Sequence, residues 1–340
     1  MIPVIVPLIE VYYSDFYTLV QTARWGNPML PDVYDDSLWG DIVLQDDKVV
    51  GGWVGTLRGN GHLTKYIAKS VYFDAYPIFQ TQELEQSYLT RLIGTVKQHA
   101  KNEHIVMLNL THWVRGKQLP VDIEGTQATF CLSLHSDQEA LWAKVESKQR
   151  NCIRKGEKSG VRVEICQGGK SLQYLSDFQR LRQTTQQHAI HKNANASMLL
   201  KSDDFFTEKF TDPKSTLFVG IVEDKVAAVA LMLQAGHTVY YYSGGSDYEL
   251  NQKYSCSAYL IWKAICYYNE KGMDCFDMGG VPVHPDESHP AYGVYRFKKS
   301  FGGEYQEFDG GQIVISPVRY KILHWLLGQR RLLRMFSNKL

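Results

Sequence analysis

The amino-acid sequence predicts an α/β fold built from two similar domains. Apolar stretches of strand length alternate with longer stretches in which apolar residues recur at helical spacing. A length of 340 residues is enough for two domains that each bury a core. A short pattern also occurs twice: LQDDKVVGGWVG at 44–55 and IVEDKVAAVALM at 221–232 both place Asp-Lys-Val between two apolar strands. Chance could produce such turns, but their shared context after a helix favours a tandem duplication.

In the first half of the chain, Asp46-Asp47 separates two alternating apolar stretches and predicts a hairpin over 41–58. A short apolar stretch at 4–9 predicts the first strand. The other elements expected in this half are a helix at 15–25, strand and loop at 65–79, a helix at 82–100, and strands at 104–110 and 129–134.

The second half repeats this plan, with Glu223-Asp224 as the turn of a second hairpin. The elements expected here are a helix at 141–160, strands at 161–165, 217–222, 226–234, 238–243 and 275–278, and helices at 171–190 and 257–271. We therefore expect a first domain over 1–140, a second over 141–315, and a C-terminal helix over 316–340 that packs back on the first domain.

The composition is that of a globular protein, with 44% hydrophobic and 21% charged residues. The net charge of +1 argues against a general nucleic-acid coat protein. The six cysteines are scattered without a CxxC pair, so neither a zinc site nor a disulfide framework is expected, and a reducing cytoplasm fits best. No cofactor is expected. The N-terminus lacks the basic region of a signal peptide, and no apolar run is long enough to span a bilayer.

The stretch from Leu141 to Val163 organises the chain. It predicts one helix that ends at Gly160, with apolar residues on one side and cations on the rest of its surface. Between Lys144 and Arg162 there are seven Lys or Arg and two Glu, a net charge of +5. Such a surface is either a solvated helix face or a docking face for phosphates, and composition alone leaves both open.

Two segments resemble the Fem family of nonribosomal peptidyltransferases. QRNCIRKGEKSGVRV, at 149–163, is similar to the basic helix-to-strand signature of that family, and YRFKKSFGGE, at 295–304, is similar to its late hallmark. Fem proteins add amino acids from aminoacyl-tRNA to the peptidoglycan stem peptide. The resemblance implies two tandem GNAT-like (acyl-CoA N-acyltransferase fold) domains with a returning basic C-terminal helix. It also implies an aminoacyltransferase that helps to build interpeptide bridges.

The segment 295–304, called the late motif below, contains the residues expected to bind the donor and to catalyse the transfer. In the family its Phe-Lys pair is tied to donor binding and catalysis, which points to Phe297 and Lys298 here, flanked by Arg296 and Lys299. An acyl ester is already activated, so the enzyme must supply positioning, proton removal and oxyanion stabilisation, and a fixed cation such as Lys298 suits the last task. If this segment is a strand, Arg296 and Lys298 share one face. The alternative is a surface strand with solvated lysines.

Further substrate-binding residues follow from the resemblance. Gln187 occupies the place where the family often has an arginine for acceptor phosphates; because Gln cannot neutralise charge, a UDP- or pyrophosphate-linked acceptor is in doubt. Asp277 lies where a strand runs into a loop, and one or two of Tyr240, Tyr241 and Tyr242 can reach a cleft. The expected binding residues are Arg150, Arg154 and Lys155 for phosphates, Thr184, Gln187, Tyr242, Asp277, Arg296, Phe297 and Lys299 in the second half, and Lys65, Tyr72 and Tyr76 on the acceptor side.

Two other functions stay open. One is a GNAT-like N-acyltransferase that acts on an amino sugar or polysaccharide precursor with an acyl-CoA or acyl-carrier donor. The loop expected at 247–255 contains no glycine, whereas backbone amides that cradle a pyrophosphate usually need it, and this counts against acetyl-CoA. The other is a catalytically inactive scaffold that binds tRNA or the cell envelope.

The C-terminal segment 316–340 has six Lys or Arg, no acid and an apolar face. Besides packing on the first domain, such a helix can lie on an anionic membrane surface. The expected partners are therefore aminoacyl-tRNA as donor and a lipid-linked or nucleotide-linked peptidoglycan precursor as acceptor. The expected location is the cytoplasm, with peripheral contact at the inner face of the membrane.

Overall fold

The computed structural model describes residues 2–59, 68–110, 119–135, 137–191 and 203–326, with only the backbone described at 188–191 and 309. Its contacts divide the chain into two units. Unit 1 comprises residues 1–126 and 308–340, and unit 2 comprises residues 127–307.

Unit 1 combines two long helices with a set of paired strands. Its strands are β1 (Val4–Pro7), β2 (Leu38–Gln45), β3 (Lys48–Arg58), β4 (Ser70–Phe73), β5 (Ile78–Phe79) and β6 (Met107–Leu110), and its helices are α1 (Glu10–Thr22) and α2 (Gln82–Asn102). Helix α2 begins at a Thr81 cap, whose side chain accepts a hydrogen bond from Leu84 N. It buries Leu92, Ile93 and Val96, the stripe that the helical spacing predicts.

Unit 2 contains most of the helices. Its strands are β7 (Ile123–Ser133), β8 (Arg162–Cys166), β9 (Ser215–Val222), β10 (Lys225–Ala235), β11 (Thr238–Ser246), β12 (Cys275–Asp277) and the start of β13 (Glu304–Val314). Its helices are α3 (Gln138–Lys144), α4 (Ser147–Lys158), a 3-10 helix (Gly168–Tyr174), α5 (Leu175–His191), α6 (Asp203–Thr211), α7 (Tyr248–Tyr254), α8 (Cys256–Glu270) and α9 (Tyr292–Lys299).

The two units share one strand order. In unit 1 the order is β1-β2-β3-β4-β6-β13, and in unit 2 it is β8-β9-β10-β11-β12-β7. In both, the fourth and fifth strands are parallel, and the pairs on either side of them are antiparallel. A repeated topology with matching strand directions is what a tandem duplication predicts, and the predicted α/β fold with two similar domains is confirmed.

The two hairpins show the repeat in detail. Asp46 and Asp47 have φ values of 51° and 60°, and Glu223 and Asp224 have φ values of 51° and 57°. Two successive residues with positive φ form the turn that best matches the twist of two antiparallel strands. The repeated acidic-Asp sequence therefore marks the same turn in each unit.

The unit boundaries lie at 126/127 and 307/308, rather than at the expected 140/141 and 315/316. Both boundaries fall inside strands: β7 runs through the first, and β13 runs through the second. A strand that runs through a boundary leaves no loop or composition change in the sequence to mark it.

The chain returns to unit 1 after β13. Residues 311–314 pair with β6, and a helix follows at 317–326. Arg319 donates to His104 O at 3.1 Å, Tyr320 donates to Gln312 Oε1 at 2.7 Å, and Leu323 is buried. These contacts lie in unit 1, to which the C-terminal helix is predicted to return, and 327–340 lie outside the described residues. In the described part of the chain, no helix has the length and apolar content needed to cross a membrane.

Candidate active site

A cavity opens in unit 2 where two parallel strands part. Strands β11 and β12 pair only as far as Tyr240 and Asp277, and β11 then continues to Ser246 alongside β10. The cavity there has a volume of about 390 Å³. Its walls come from the end of β11, from α8 and from α9.

The late motif forms one wall as a helix. Val294, Phe297 and Lys298 on α9 all line the cavity, because residues three and four apart share a helix face. The strand alternation considered for this segment is therefore wrong. The helix ends before Gly302, whose φ of +84° and close approach to Lys144 O leave no room for a side chain. Phe297 also packs on the unit 2 core, with its ring centroid 5.3 Å from that of Phe301.

Lys298 is the central cation of this wall. Its Nζ donates to Gly280 O at 3.1 Å and lies 5.6 Å from the ring centroid of Tyr241. Desolvation lowers the pKa of Lys298 to about 8, although the negative charge of Asp277 partly opposes this shift. The ammonium group is thus half-buried and able to lose its proton close to neutral pH.

Asp277 lies behind the turn that Lys298 contacts. It is fully buried, and its Oδ1 accepts hydrogen bonds from Gly279 N at 2.7 Å and Thr129 Oγ1 at 2.5 Å. Gly279 has a φ of +75°, and a Cβ there would lie 2.7 Å from Tyr241 O and 3.3 Å from Lys298 Nζ. Asp277 lies at the strand end, as the sequence predicts. Its carboxylate stabilises the turn and supplies a fixed negative charge near Lys298.

Small polar side chains line the rest of the cavity. Besides the expected Tyr242, these are Thr185, Ser243, Ser246, Asn251 and Ser257. Sequence reasoning did not find them, because they lie on α5, β11, α7 and α8 and only the fold brings these elements together. The sequence feature that could have indicated this wall is the run SGGS at the end of β11. A Cβ at Gly245 would lie 2.6 Å from the backbone of Leu181, so this strand must pack directly against α5.

The basic stretch forms two helices rather than one. Helix α3 ends at Val145, which has an extended conformation, and α4 begins after Glu146. The Arg150 side chain stabilises the break between α3 and α4. Its Nη1 donates to the carbonyl oxygens of Trp142, Ala143 and Val145 at 3.4, 3.2 and 2.8 Å. This guanidinium therefore satisfies the end of α3 instead of facing solvent.

Two other expected phosphate ligands lie apart from the cavity. Arg154 is exposed, and its guanidinium carbon lies 5.3 Å from the ring centroid of Trp142. Lys155 donates to Gln252 O at 3.3 Å. Their positions place cations along α4, but neither residue lines the cavity beside Lys298.

The residues expected on the acceptor side are spread over both units. Thr184 donates to Arg180 O within α5, and Gln187 is exposed on the same helix. In unit 1, the Arg58 guanidinium lies 4.2 Å from the Tyr72 ring centroid. Tyr76 packs on the core, and desolvation, with the charge of Glu85, raises its pKa to about 12. Lys65 lies outside the described residues.

Both helix N-termini near the end of β11 are capped. The glycine-free segment 247–255, expected to be a loop, contains α7, and Asp247 Oδ1 accepts from Leu250 N at 3.0 Å. Asn251 Oδ1 accepts from Ser257 N at 2.8 Å at the start of α8. Asp247 and Asn251 each therefore occupy one backbone amide in the first turn of α7 or α8.

Comparisons with known proteins show what this part of the chain is similar to. Residues 220–327 match the model of the FemAB family, a range that includes Tyr242, Asp277 and Lys298. The chain is 33% identical over 90 residues to an aminoacyltransferase FemB from Staphylococcus epidermidis, which covers 26% of this chain and 21% of that protein. It is 28% identical over 118 residues to a lipid II:glycine glycyltransferase from Staphylococcus saprophyticus, which covers 34% of this chain and 28% of that protein.

Residues 220–327 of this chain are therefore similar to the FemAB family. The chain spans between a fifth and a third of the length of the curated relatives that it matches. A crystal structure of FemX has the same fold, with a TM-score of 0.64 and 16% identity over 84% of this chain and 89% of that one. This chain thus has the fold of FemX, and its two units share one strand order.

Proposed function

We propose that this chain is an aminoacyltransferase that moves an amino acid from aminoacyl-tRNA to an amine of a peptidoglycan precursor, as a step in interpeptide bridge formation. The observation that carries the proposal is the placement of Lys298, with its lowered pKa, in the wall of a cavity inside the range that matches the FemAB family. The names of the two relatives, an aminoacyltransferase and a lipid II:glycine glycyltransferase, support a lipid-linked acceptor.

The chemistry that this cavity must support is aminolysis of an ester. The acceptor amine attacks the ester carbonyl, and the carbonyl oxygen becomes a transient oxyanion. The bond to the ribose oxygen then breaks, an amide forms, and the proton lost by the amine balances the proton gained by the ribose hydroxyl. The Lys298 ammonium suits the oxyanion, because a preorganised cation in a partly desolvated site stabilises developing charge strongly.

The other walls suit an aminoacyl group and its ribose. Phe297, Val294, Leu260 and Ile261 give an apolar lining, whereas the hydroxyls of Thr185 and Ser257 are polar. An apolar cavity with a few placed polar groups fixes the orientation of a small substrate. Such positioning supplies a large part of the rate acceleration for a transfer between two bound groups.

The acyl-CoA alternative fits these walls less well. A CoA pyrophosphate would need free backbone amides near the end of β11. Asp247 and Asn251 already cap the two helices that begin there, and the Asp247 carboxylate would repel a phosphate. This favours a donor whose phosphates bind elsewhere.

The C-terminal helix supports peripheral contact with a membrane, where a lipid-linked acceptor resides. Val318, Ile322 and Trp325 are exposed by 70%, 46% and 64%, and their spacing places them on one helix face. Exposed apolar residues on a helix that also carries cations are typical of interfacial binding. This would place the protein at the inner face of the membrane.

A product assay tests the proposed function. The protein is mixed with charged tRNA, acyl-CoA and peptidoglycan precursor pools, and the products are read by mass spectrometry. We expect a precursor that has gained one aminoacyl group, with no such product from acyl-CoA, and a large loss with Lys298→Met. Lys225→Met, at an exposed lysine on β10, is the matched control. A product formed only with acyl-CoA would overturn the proposal.

A further inference from the structure

A buried threonine lies behind the wall that holds Lys298. Thr129, on β7, has no exposed surface. Its Oγ1 lies 2.5 Å from Asp277 Oδ1 and 3.0 Å from Gly279 O. The shorter distance is that of a charge-assisted hydrogen bond, so the hydroxyl proton points to the carboxylate. The Thr129 hydroxyl therefore links the carboxylate of Asp277 to the backbone of the turn that follows it.

The backbone of β7 holds the same turn on both sides of Thr129. Met278 N donates to Phe130 O at 2.9 Å, and Val281 N donates to Ala128 O at 2.8 Å. Hydrogen bonds from a rigid strand keep the groups of a neighbouring site in one geometry. The carbonyl oxygens of this turn are therefore presented in fixed directions.

One of those carbonyl oxygens contacts Lys298. The Lys298 Nζ donates to the oxygen of Gly280, the residue after Gly279, at 3.1 Å. An ammonium group has three protons, and in the described part of the chain the other two make no hydrogen bond. The contact thus fixes the direction of the ammonium group and leaves two protons for a ligand in the cavity.

Asp277 is the acid behind this contact. Lys298 is the charged side chain of the described cavity wall, and the other titratable groups of that wall are the phenols of Tyr241 and Tyr242. The wall residues from α5, α7, α8 and β10 carry no titratable group. Burial raises the pKa of Tyr241 to about 12, so this phenol is neutral where Lys298 titrates. The other cations on α9 are exposed: Arg296 and Lys299. The negative charge of Asp277 is therefore the interaction that opposes the desolvation of the ammonium group.

We propose that Thr129 and Asp277 form a buried anchor that positions Lys298. The anchor holds the turn whose Gly280 carbonyl fixes the ammonium group, and it keeps a negative charge behind that group. Both residues are fully buried and neither lines the cavity, so they act through Lys298 and do not touch the substrate. The role of the anchor in transfer rests on the proposed function, whereas the protonation of Lys298 can be measured without it.

The pH dependence of the reaction of Lys298 with acetic anhydride tests the anchor without requiring transfer. The amine reacts when it is neutral, so labelling of the full chain, read by peptide mass spectrometry, reports its protonation. Asp277→Asn keeps the shape of the side chain and removes the charge. The labelling midpoint should therefore fall from the pKa of about 8 by about one pH unit. Lys225, exposed on β10, is labelled in the same samples and should react alike in every variant.

Thr129→Val tests the hydroxyl at nearly constant side-chain volume. The turn loses its link to the Asp277 carboxylate, and Gly280 O is less firmly directed at Nζ. We expect a lower labelling midpoint for Lys298 and a transfer rate at pH 7 that is about tenfold lower. Thr129→Ser keeps the hydroxyl and should restore both values. If Thr129 serves the fold alone, Thr129→Val lowers the thermal unfolding midpoint and leaves the labelling midpoint of Lys298 unchanged, which would overturn the anchor.

The remaining outcomes separate the anchor from the proposed function. An unchanged labelling midpoint in folded Asp277→Asn also overturns the anchor, and if that variant does not fold, the comparison of Thr129→Val with Thr129→Ser decides. If the midpoints fall as expected but the unchanged protein transfers no aminoacyl group, the proposed function fails and the anchor stands. If transfer occurs but the midpoints do not move, the anchor fails and the proposed function stands.

Discussion

The long polar side chains of Lys298, Arg150 and Gln149 differ in their burial and hydrogen bonding, and this difference indicates what each one does. Lys298 is desolvated and has a lowered pKa, whereas Arg150 Nη1 donates to three carbonyl oxygens. Gln149 keeps a buried amide without an acceptor. Since a buried polar group is stable only with partners, Lys298 is suited to a ligand and Arg150 to the fold.

The pH dependence of transfer should report the charge of Lys298. With a pKa of about 8, the ammonium form predominates at pH 7 and falls to about a tenth at pH 9. If the cation stabilises the oxyanion, the single-turnover rate at saturating donor should fall as pH rises through 8. Lys298→Met should lower that rate by about 10²–10³ at pH 7. Lys298→Arg should remove the alkaline fall, because arginine stays charged.

A lysine that acts as a general base would give the reverse result. The rate would then rise with pH through 8, and Lys298→Arg would be as inactive as Lys298→Met. Rates equal to those of the unchanged protein in Lys298→Met would remove this residue from the site.

His99 predicts a pH dependence of stability in unit 1. Its Nδ1 lies 3.0 Å from the buried Asp41 Oδ1, and its Nε2 lies 2.9 Å from Glu103 Oε1. The hydrogen bond to Asp41 raises the pKa of His99, although burial opposes the shift. A raised pKa stabilises the folded state fully below the unfolded value of 6.5, and this contribution is lost as pH rises through the folded value.

Urea unfolding between pH 5 and 9 measures this contribution. The free energy of unfolding should decline with rising pH in the unchanged protein, and His99→Gln should flatten that decline. Equal slopes for the two proteins would show that the ion pair with Asp41 contributes nothing measurable.

At the scale of elements, the junction between α3 and α4 determines where the cations of the basic stretch lie. The chain turns at Val145 and Glu146, and Glu146 N donates to Ser300 O at 2.9 Å. This junction lies against the end of α9, so the start of α4 and the late motif come together. Sequence periodicity predicted one continuous helix here, because Leu141, Val145 and Ile153 keep helical spacing across the break.

Arg150→Ala should destabilise the protein rather than weaken phosphate binding. It leaves the terminal carbonyls of α3 without their charged donor, and we expect a loss of about 2 kcal/mol in the free energy of unfolding. Arg154→Ala is the matched control: Arg154 is exposed and makes one 3.4 Å hydrogen bond to Asn151, so its loss should be within about 0.5 kcal/mol. Urea titration checks both. A stable Arg150→Ala with weakened RNA binding would contradict this assignment.

For the whole molecule, features set by neighbouring residues could be predicted from the sequence, whereas features set by contacts between distant residues could not. The two hairpins could be predicted because Asp46-Asp47 and Glu223-Asp224 specify their own turns. The helical state of α9 could not, because Val294, Tyr295 and Phe297 are residue types that favour strands. Its packing on Phe130 and Phe301 overrides that preference. The serine and threonine side chains that line the cavity could not be predicted either, because only the fold brings α5 and β11 together.

The return of the chain end to unit 1 has a consequence for synthesis on the ribosome. Unit 2 is contiguous, but unit 1 needs residues 311–314 beside β6 and the helix at 317–326. Between residues 127 and 326 the ribosome adds about 200 residues, which takes about 10–40 s at 5–20 residues per second. During that delay the side of Met107–Leu110 that β13 later covers is an unpaired strand edge, open to aggregation or to a chaperone. The half of the molecule that is made first is therefore the half that is completed last.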